Sequence, residues 1–344
     1  SMASLANSES KAHDQRRPVA RVAWLTGPGE LIWREETLPA PDRRQVLCET
    51  LVSAISPGTA LAAWRGAQPL KPGNPYPRVQ GYCNVARVLE VGENAAHLTP
   101  GDRVLTLQSH RSRFVCSADD IYVTLTPEMD TRRVATSYLF HLGYNAVLRS
   151  GMRAGSRIVV IGLGALGLTS VAMATHSGAE VVAVSDHSSA QKIARTAYNP
   201  GQVCSRNEAM RLSQTGADAV ILTTNGWSDF RLALELAGQN AVIACLGFPG
   251  REEAPGEYNP LAAELFYTKQ LRIEAVGLSP RENDPRGVNR FNLRDNLGYI
   301  ARVLAPLADP IISGEYPADE LERAYADLAA RKDNAVTYLL DWSR

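Results

Sequence analysis

The stretch RIVVIGLGALGLTSVAMATHSGAEVVAVSD, residues 157–186, limits the possible folds of this chain more than any other. It opens on RIVVI, a continuous apolar run of buried-strand length. Gly162, Gly164 and Gly167 follow in G-x-G-x-x-G spacing, with Leu163, Ala165 and Leu166 between them. A helical run comes next, Gly178 ends it, and VVAVS closes the unit as a second strand before Asp186. Strand, glycine loop, helix and strand together make a dinucleotide-binding unit, which three glycines alone would not establish. Gly162 permits the tight turn. Gly164, lacking a Cβ, lets a pyrophosphate approach the backbone, and Gly167 lets the helix pack close to the sheet. The helix start offers unpaired N–H groups and a partial positive charge to the phosphates. Asp186 stands where an acid takes the adenosine ribose hydroxyls and repels a 2′-phosphate, so NAD is expected ahead of NADP. His187 and Ser188 keep NADP open, because small polar residues also line phosphate pockets.

The rest of the chain falls into two patterns. From Val19 to about Thr126, short strand signals are cut by Gly and Pro turns. VAWL and LIWRE flank TGPGE as a hairpin; VLCETLVSAI, VARVLEV and the run after PGDRV read as further strands. This spacing predicts a small antiparallel, barrel-like domain. VATSYLFHLGYNAVL is apolar at helical spacing and is expected to be one helix ending near Gly151. Beyond it, apolar strands (RIVVI, VVAVS, AVILTT, AVIACLG, LRIEAVG) alternate with helical runs, the last near residues 293–306. That alternation predicts a parallel sheet covered on both faces. PADELERAYADLAARK reads as an amphipathic helix and AVTYLLDW as a closing strand that returns to the first domain. The expected division is a tail at 1–18, a first domain from 19–148 with 308–344, and a dinucleotide domain at 149–307.

Composition excludes some functions. Among 344 residues, 36 Lys and Arg balance 36 Asp and Glu. No net field therefore draws the chain to nucleic acid or a membrane surface. No apolar run approaches the roughly 20 residues that span a bilayer. Residues 1–18 have no hydrophobic core of a secretory signal and are expected to be a disordered tail. Five scattered cysteines without a CxxC pair suit a reduced cytoplasm, with the thiols acting as small hydrophobes.

With ISPGT, GYCNVARVLEVG, LTPGDRV, the glycine loop and AVIACLGFPG in this order, the chain resembles the medium-chain dehydrogenase/reductase superfamily over nearly its whole length after residue 18. The resemblance implies an α/β fold with a β-barrel: a GroES-like catalytic domain plus a doubly wound Rossmann domain, with nicotinamide and substrate in the cleft between. It also implies a homodimer joined at the Rossmann sheet edge. By strand position it assigns Thr224 and Asn225 to the adenosine side, and Gly247, Phe248, Gly277 and Leu278 to the nicotinamide side. In the zinc alcohol dehydrogenases of this superfamily, ligands stand where this chain has Ser56, Tyr82 and Tyr138. Neutral hydroxyls are poor zinc ligands. The four-cysteine structural zinc lobe expected after GDRV is also missing, so a zinc-free member is expected. Cys83 with His110 or His141 is the remaining metal arrangement, and its spacing gives no support.

Without a metal, a positioned donor must serve the reacting oxygen. Tyr82 is the first candidate, set against a packing tyrosine. Ser56 and Thr59 either orient substrate or bond their own turn. His110, in the polar loop QSHRSRF, either relays a proton or is solvated. Tyr138 and His141 lie on an apolar helix and read first as core residues. The expected function is a zinc-independent NAD(P)-linked oxidoreductase interconverting a hydroxyl and a carbonyl on a small or medium organic substrate. Among its branches, the chain is most similar to bacteriochlorophyllide dehydrogenase-like members. The alternatives are an NADPH-dependent quinone or enoyl reductase, which Asp186 counts against, and a dinucleotide-binding protein without turnover.

Overall fold

The structure is a computed structural model describing residues 17–67, 73–283 and 292–343. The expected disordered tail lies outside these residues except for its last two.

Strands β1 (Val19–Gly27) and β2 (Glu30–Thr37) form an antiparallel hairpin across the TGPGE turn. Strand β3 (Gln45–Ala54) is long, β-branched and mostly buried, and it feeds directly into helix α1 (Pro57–Arg65). Pro57 suits that helix start because its fixed φ is already helical. Gly66 ends the helix in the left-handed region at φ 71°. The two-residue β4 (Arg78–Val79) adds to β1. Then β5 (Asn84–Val91), β6 (Arg103–Thr106), β7 (Arg113–Ser117) and β8 (Ile121–Thr124) build an antiparallel sheet around β3.

The expected single helix at 134–148 is split. One turn at Thr131–Val134 stops, and α2 (Ser137–Arg149) starts afresh. The physical reason is local: Thr136 Oγ1 and Ser137 Oγ donate back to the Arg133 and Val134 carbonyls, competing with the helical ladder. Although α2 was expected with the first domain, its Leu139, Phe140, Ala146 and Val147 pack into the core of the second.

The second domain is the sheet of β9 (Arg157–Ile161), β10 (Glu180–Val184), β11 (Gln202–Cys204), β12 (Ala217–Leu222), β13 (Ala237–Cys245) and β14 (Arg272–Ala275). All five pairings are parallel, in the order β11-β10-β9-β12-β13-β14. Helix α3 (Ala165–His176) follows β9, α4 (Ser188–Ile193) follows β10, and α5 (Trp227–Leu236) follows β12. Two apolar cores cover the two faces. The direction of strand succession reverses between β9 and β12, and a crevice opens there at the carboxyl ends of the strands.

Helix α6 (Leu293–Val303) bridges the domains. Leu293, Leu297 and Ala301 pack on the first, Ile300 on the second. Beyond it, β15 (Ile312–Pro317), α7 (Leu321–Ala329) and β16 (Thr337–Asp341) return to the first domain, where β16 pairs antiparallel with β3. All five cysteines are free and buried.

Candidate active site

A cavity of about 710 Å³ lies between the domains at the crevice. Its floor is the glycine loop, with Gly162, Leu163, Gly164, Ala165, Leu166 and Gly167 all lining it. Each glycine has a distinct surrounding. Gly162 is left-handed at φ 90°, and a Cβ there would meet Thr223 Oγ1 at 2.5 Å. A Cβ on Gly167 would meet the Gly162 carbonyl oxygen at 1.7 Å, so the helix start lies on the strand end. A Cβ on Gly164 would meet nothing within 4 Å, so it would project into open cavity at the start of α3. Open space beside Gly164, next to the unpaired N–H groups of a twelve-residue helix, fits a pyrophosphate.

Beyond the glycine loop, toward the end of β10, His187, Thr224 and Asn225 line the cavity, but Asp186, expected at the ribose, is not among its lining residues. The Asp186 carboxylate accepts the Arg206 backbone N–H at 2.9 Å and pairs with its guanidinium at 3.3 Å. That guanidinium also grips Asp229 with two bonds, at 2.7 and 2.8 Å, and Thr224 Oγ1 donates to Asp229 at 2.6 Å. Burial pushes the Asp229 carboxyl up, but the bonds from Arg206 and Thr224 outweigh it and hold it below its usual range. Asp186 therefore acts first on an arginine. Arg206 itself lines the cavity, as does Arg331, whose Nη1 lies 3.4 Å from His187 Nε2.

Sequence reasoning missed both arginines. SRNE at 205–208 is a complete capping box, with Ser205 and Glu208 each bonding the other's backbone. Reading it would have placed a helix start after β11 and Arg206 at its first position. Arg331 opens a turn in which Asp333 and Asn334 are also left-handed, and no pattern in the sequence announces that.

At the opposite end, Gly247, Phe248, Gly277 and Leu278 line the cavity with Ser56, Thr59, Tyr82 and Tyr138. Ser56 and Thr59 lie at the start of α1, and Tyr82 follows the left-handed turn at Gly81. Tyr82 OH donates to Ser56 Oγ at 2.5 Å, with Thr59 Oγ1 at 3.3 Å. Burial, and next the neighbouring Cys83, push the Tyr82 hydroxyl up to about 12; the Ser56 and Thr59 bonds partly oppose this. The Tyr82 ring rests on Tyr138 at 4.5 Å, and Tyr138 on His141 at 5.4 Å. Burial raises the Tyr138 hydroxyl as well.

His110 does not reach the cavity. It is 1% exposed, and its Nδ1 lies 2.9 Å from Ser53 Oγ. Burial lowers it to about 3, so it stays neutral. The QSHRSRF loop is polar in composition, but a Cβ on Gly81 would lie 2.6 Å from the His110 ring. The ring thus underlies the turn that carries Tyr82. His141 is fully buried, and only half of it is satisfied: Nε2 accepts a bond, whereas Nδ1 has no partner among the described residues.

The oxygen donors of Ser56, Tyr82 and Tyr138 do not fit zinc. Both tyrosines are held neutral, Ser56 is a neutral hydroxyl, and adjacent Cys83 is driven by burial far above the range where a thiolate forms. Among the described residues, no group of three or more His, Cys, Asp or Glu is placed to hold a metal.

No protein-family profile matches the chain. It is 28% identical over 183 residues to L-galactonate-5-dehydrogenase of Escherichia coli (strain K12). That match takes in 45% of this chain and spans only about half, 53%, of the relative. Among solved structures, galactitol-1-phosphate dehydrogenase from Escherichia coli superposes with a TM-score of 0.76 at 15% identity, covering 93% of this chain and 99% of the other. The cobalt- and zinc-bound thermostable alcohol dehydrogenase from Pyrobaculum aerophilum superposes at 0.74 and 18% identity, covering 94% and 100%. These likenesses establish the fold: a GroES-like domain joined to a doubly wound Rossmann domain, as in alcohol dehydrogenases.

Proposed function

We propose that this chain is a zinc-independent, NAD(P)-linked oxidoreductase that interconverts a hydroxyl and a carbonyl on a small or medium organic substrate. One observation carries the reading: the hydroxyls of Tyr82, Ser56 and Thr59 meet in the cavity whose other end is the glycine loop. A bound nicotinamide supplies or takes the hydride. The glycine loop and the start of α3 would hold its pyrophosphate, and Gly247, Phe248, Gly277 and Leu278 would wall the nicotinamide end. A substrate oxygen entering beside Ser56 takes the Tyr82 hydrogen bond in place of Ser56 Oγ. In the reducing direction Tyr82 gives its proton to that oxygen. Ser56 and Thr59 fix the direction of the phenol, and Tyr138 supports its ring.

Sugar acids and sugar-alcohol phosphates are the first substrates to try, given the names of the relatives. Following cofactor absorbance across such a panel, alongside plain alcohols, quinones and enoyl compounds, tests the reading. Turnover confined to quinones or enoyl compounds would replace it with a reductase, and no turnover at all with a binding protein. NADPH use is favoured by one observation: Asp186 is engaged by Arg206, while Arg206, Arg331 and His187 all line the ribose end. Parallel NADH and NADPH titrations decide the cofactor. We further propose a zinc-free place beside the bacteriochlorophyllide dehydrogenase-like members, a cytoplasmic setting, and a homodimer through the edge strand β14. Exposed Ile273 on that strand and Tyr267 just before it support the dimer.

A further inference from the structure

We infer that His141 and Asn145 are positioning residues for the nicotinamide carboxamide, holding the Gly277–Ser279 backbone from α2. The inference rests on the dinucleotide reading of the cavity. The two side chains are four residues apart, so they project from one face of the helix. Asn145 Nδ2 donates to the Gly277 carbonyl at 2.5 Å, and His141 Nε2 accepts the Ser279 N–H at 3.2 Å. Asn296 of α6 holds the same segment from a third side, donating to Ser279 Oγ at 3.0 Å. His141, Asn145, Ser279 and Asn296 are all buried.

These bonds bracket Leu278, which is 51% exposed and lines the cavity with Gly277. With the Gly277 carbonyl and the Ser279 N–H engaged behind the wall, the Leu278 N–H and carbonyl lie between them, and the Gly277 N–H lies just before. Neither of these two N–H groups donates a hydrogen bond among the described residues. A Cβ on Gly277 would meet nothing within 4 Å, so the backbone there is open to a flat ligand. A primary carboxamide, with its acceptor oxygen and donor NH₂, matches exposed peptide groups. His141 gives a second argument. Because Nε2 accepts, Nδ1 carries the ring proton, and that buried donor has no partner among the described residues. An apolar residue would fill the space without orphaning a donor, but it would lose the bond to Ser279.

The test compares binding of NADH with binding of ADP-ribose, which lacks the nicotinamide. In Asn145→Leu and His141→Leu the NADH affinity is expected to fall about tenfold, the loss of one buried hydrogen bond. ADP-ribose affinity should stay within about twofold, which also reports that the variant is folded. His141→Gln keeps an acceptor and should restore NADH binding, along with the fluorescence of the bound reduced ring. Equal losses for both ligands, no loss for NADH, or failure of the Gln variant to differ from the Leu variant would overturn the clamp. Wild-type protein that binds neither ligand would instead remove the dinucleotide reading beneath it.

Discussion

Two glycines three residues apart should respond to substitution in opposite ways. Gly164 has φ −76° and ψ −162°, extended backbone that any residue adopts, and a Cβ there meets nothing within 4 Å. Gly164→Val therefore leaves the fold alone and places two methyl groups in the space assigned to the pyrophosphate. Gly167 is different. A Cβ there lies 1.7 Å from the Gly162 carbonyl oxygen, and reaching 3.0 Å requires the helix start to retreat by about 1.3 Å. Overpacking of that kind costs roughly 1–3 kcal/mol, and it also displaces the phosphate donors. Thermal melts read the first effect and NADH titration the second. Gly164→Val should melt like wild type while its NADH affinity drops by about a hundredfold or more, because the ligand's closest approach is blocked. Gly167→Ala should melt several degrees lower and lose affinity as a consequence. If Gly164→Val binds NADH as wild type does, the phosphate is not held at this loop and the cofactor pose is wrong.

Tyr82→Phe should lower turnover by about 10²–10⁴-fold, the range for losing a general acid, with NADH affinity unchanged in titration. A phenol held up to about 12 is protonated through the neutral range, so reduction should be level from about pH 6 to about pH 9. Oxidation needs the deprotonated phenol as acceptor and should climb with pH over the same interval. A reduction rate that falls across that interval would assign the proton to another group. Asp186→Ser removes one of the two carboxylates on Arg206 and should raise NADPH affinity about tenfold relative to NADH in competition binding. An unchanged ratio would mean that Asp186 and Arg206 do not read the ribose.

The glycine loop was legible because its requirements are backbone requirements. A turn at Gly162, contact at Gly167 and open space at Gly164 leave the same trace in any chain that binds this way. The centre of the parallel sheet was legible for a similar reason, since β9, β10, β12 and β13 are mostly buried and read as apolar runs, whereas the short edge strand β11, QVC, carries no such run. His110 was not, because loop composition does not reveal that a ring tucks under a turn nearly thirty residues earlier in the chain. The break in the helix at Thr136 was written in a Thr-Ser pair that periodicity alone passes over. Asp186 follows β10 at the end of the unit, but its carboxylate is taken by Arg206, which stands just past the next strand, β11, and loop spacing does not announce that pairing. The His141–Asn145 pair looked like ordinary helix interior because the backbone it holds lies more than 130 residues away.

As proposed, neutral hydroxyls led by Tyr82 serve the reacting oxygen in a pocket whose donors do not suit zinc. Elemental analysis of purified protein, run beside turnover before and after dialysis against a strong chelator, tests it most directly. Substoichiometric metal and undiminished turnover are expected; about one zinc per chain, with turnover lost on dialysis and restored by zinc, would contradict zinc independence.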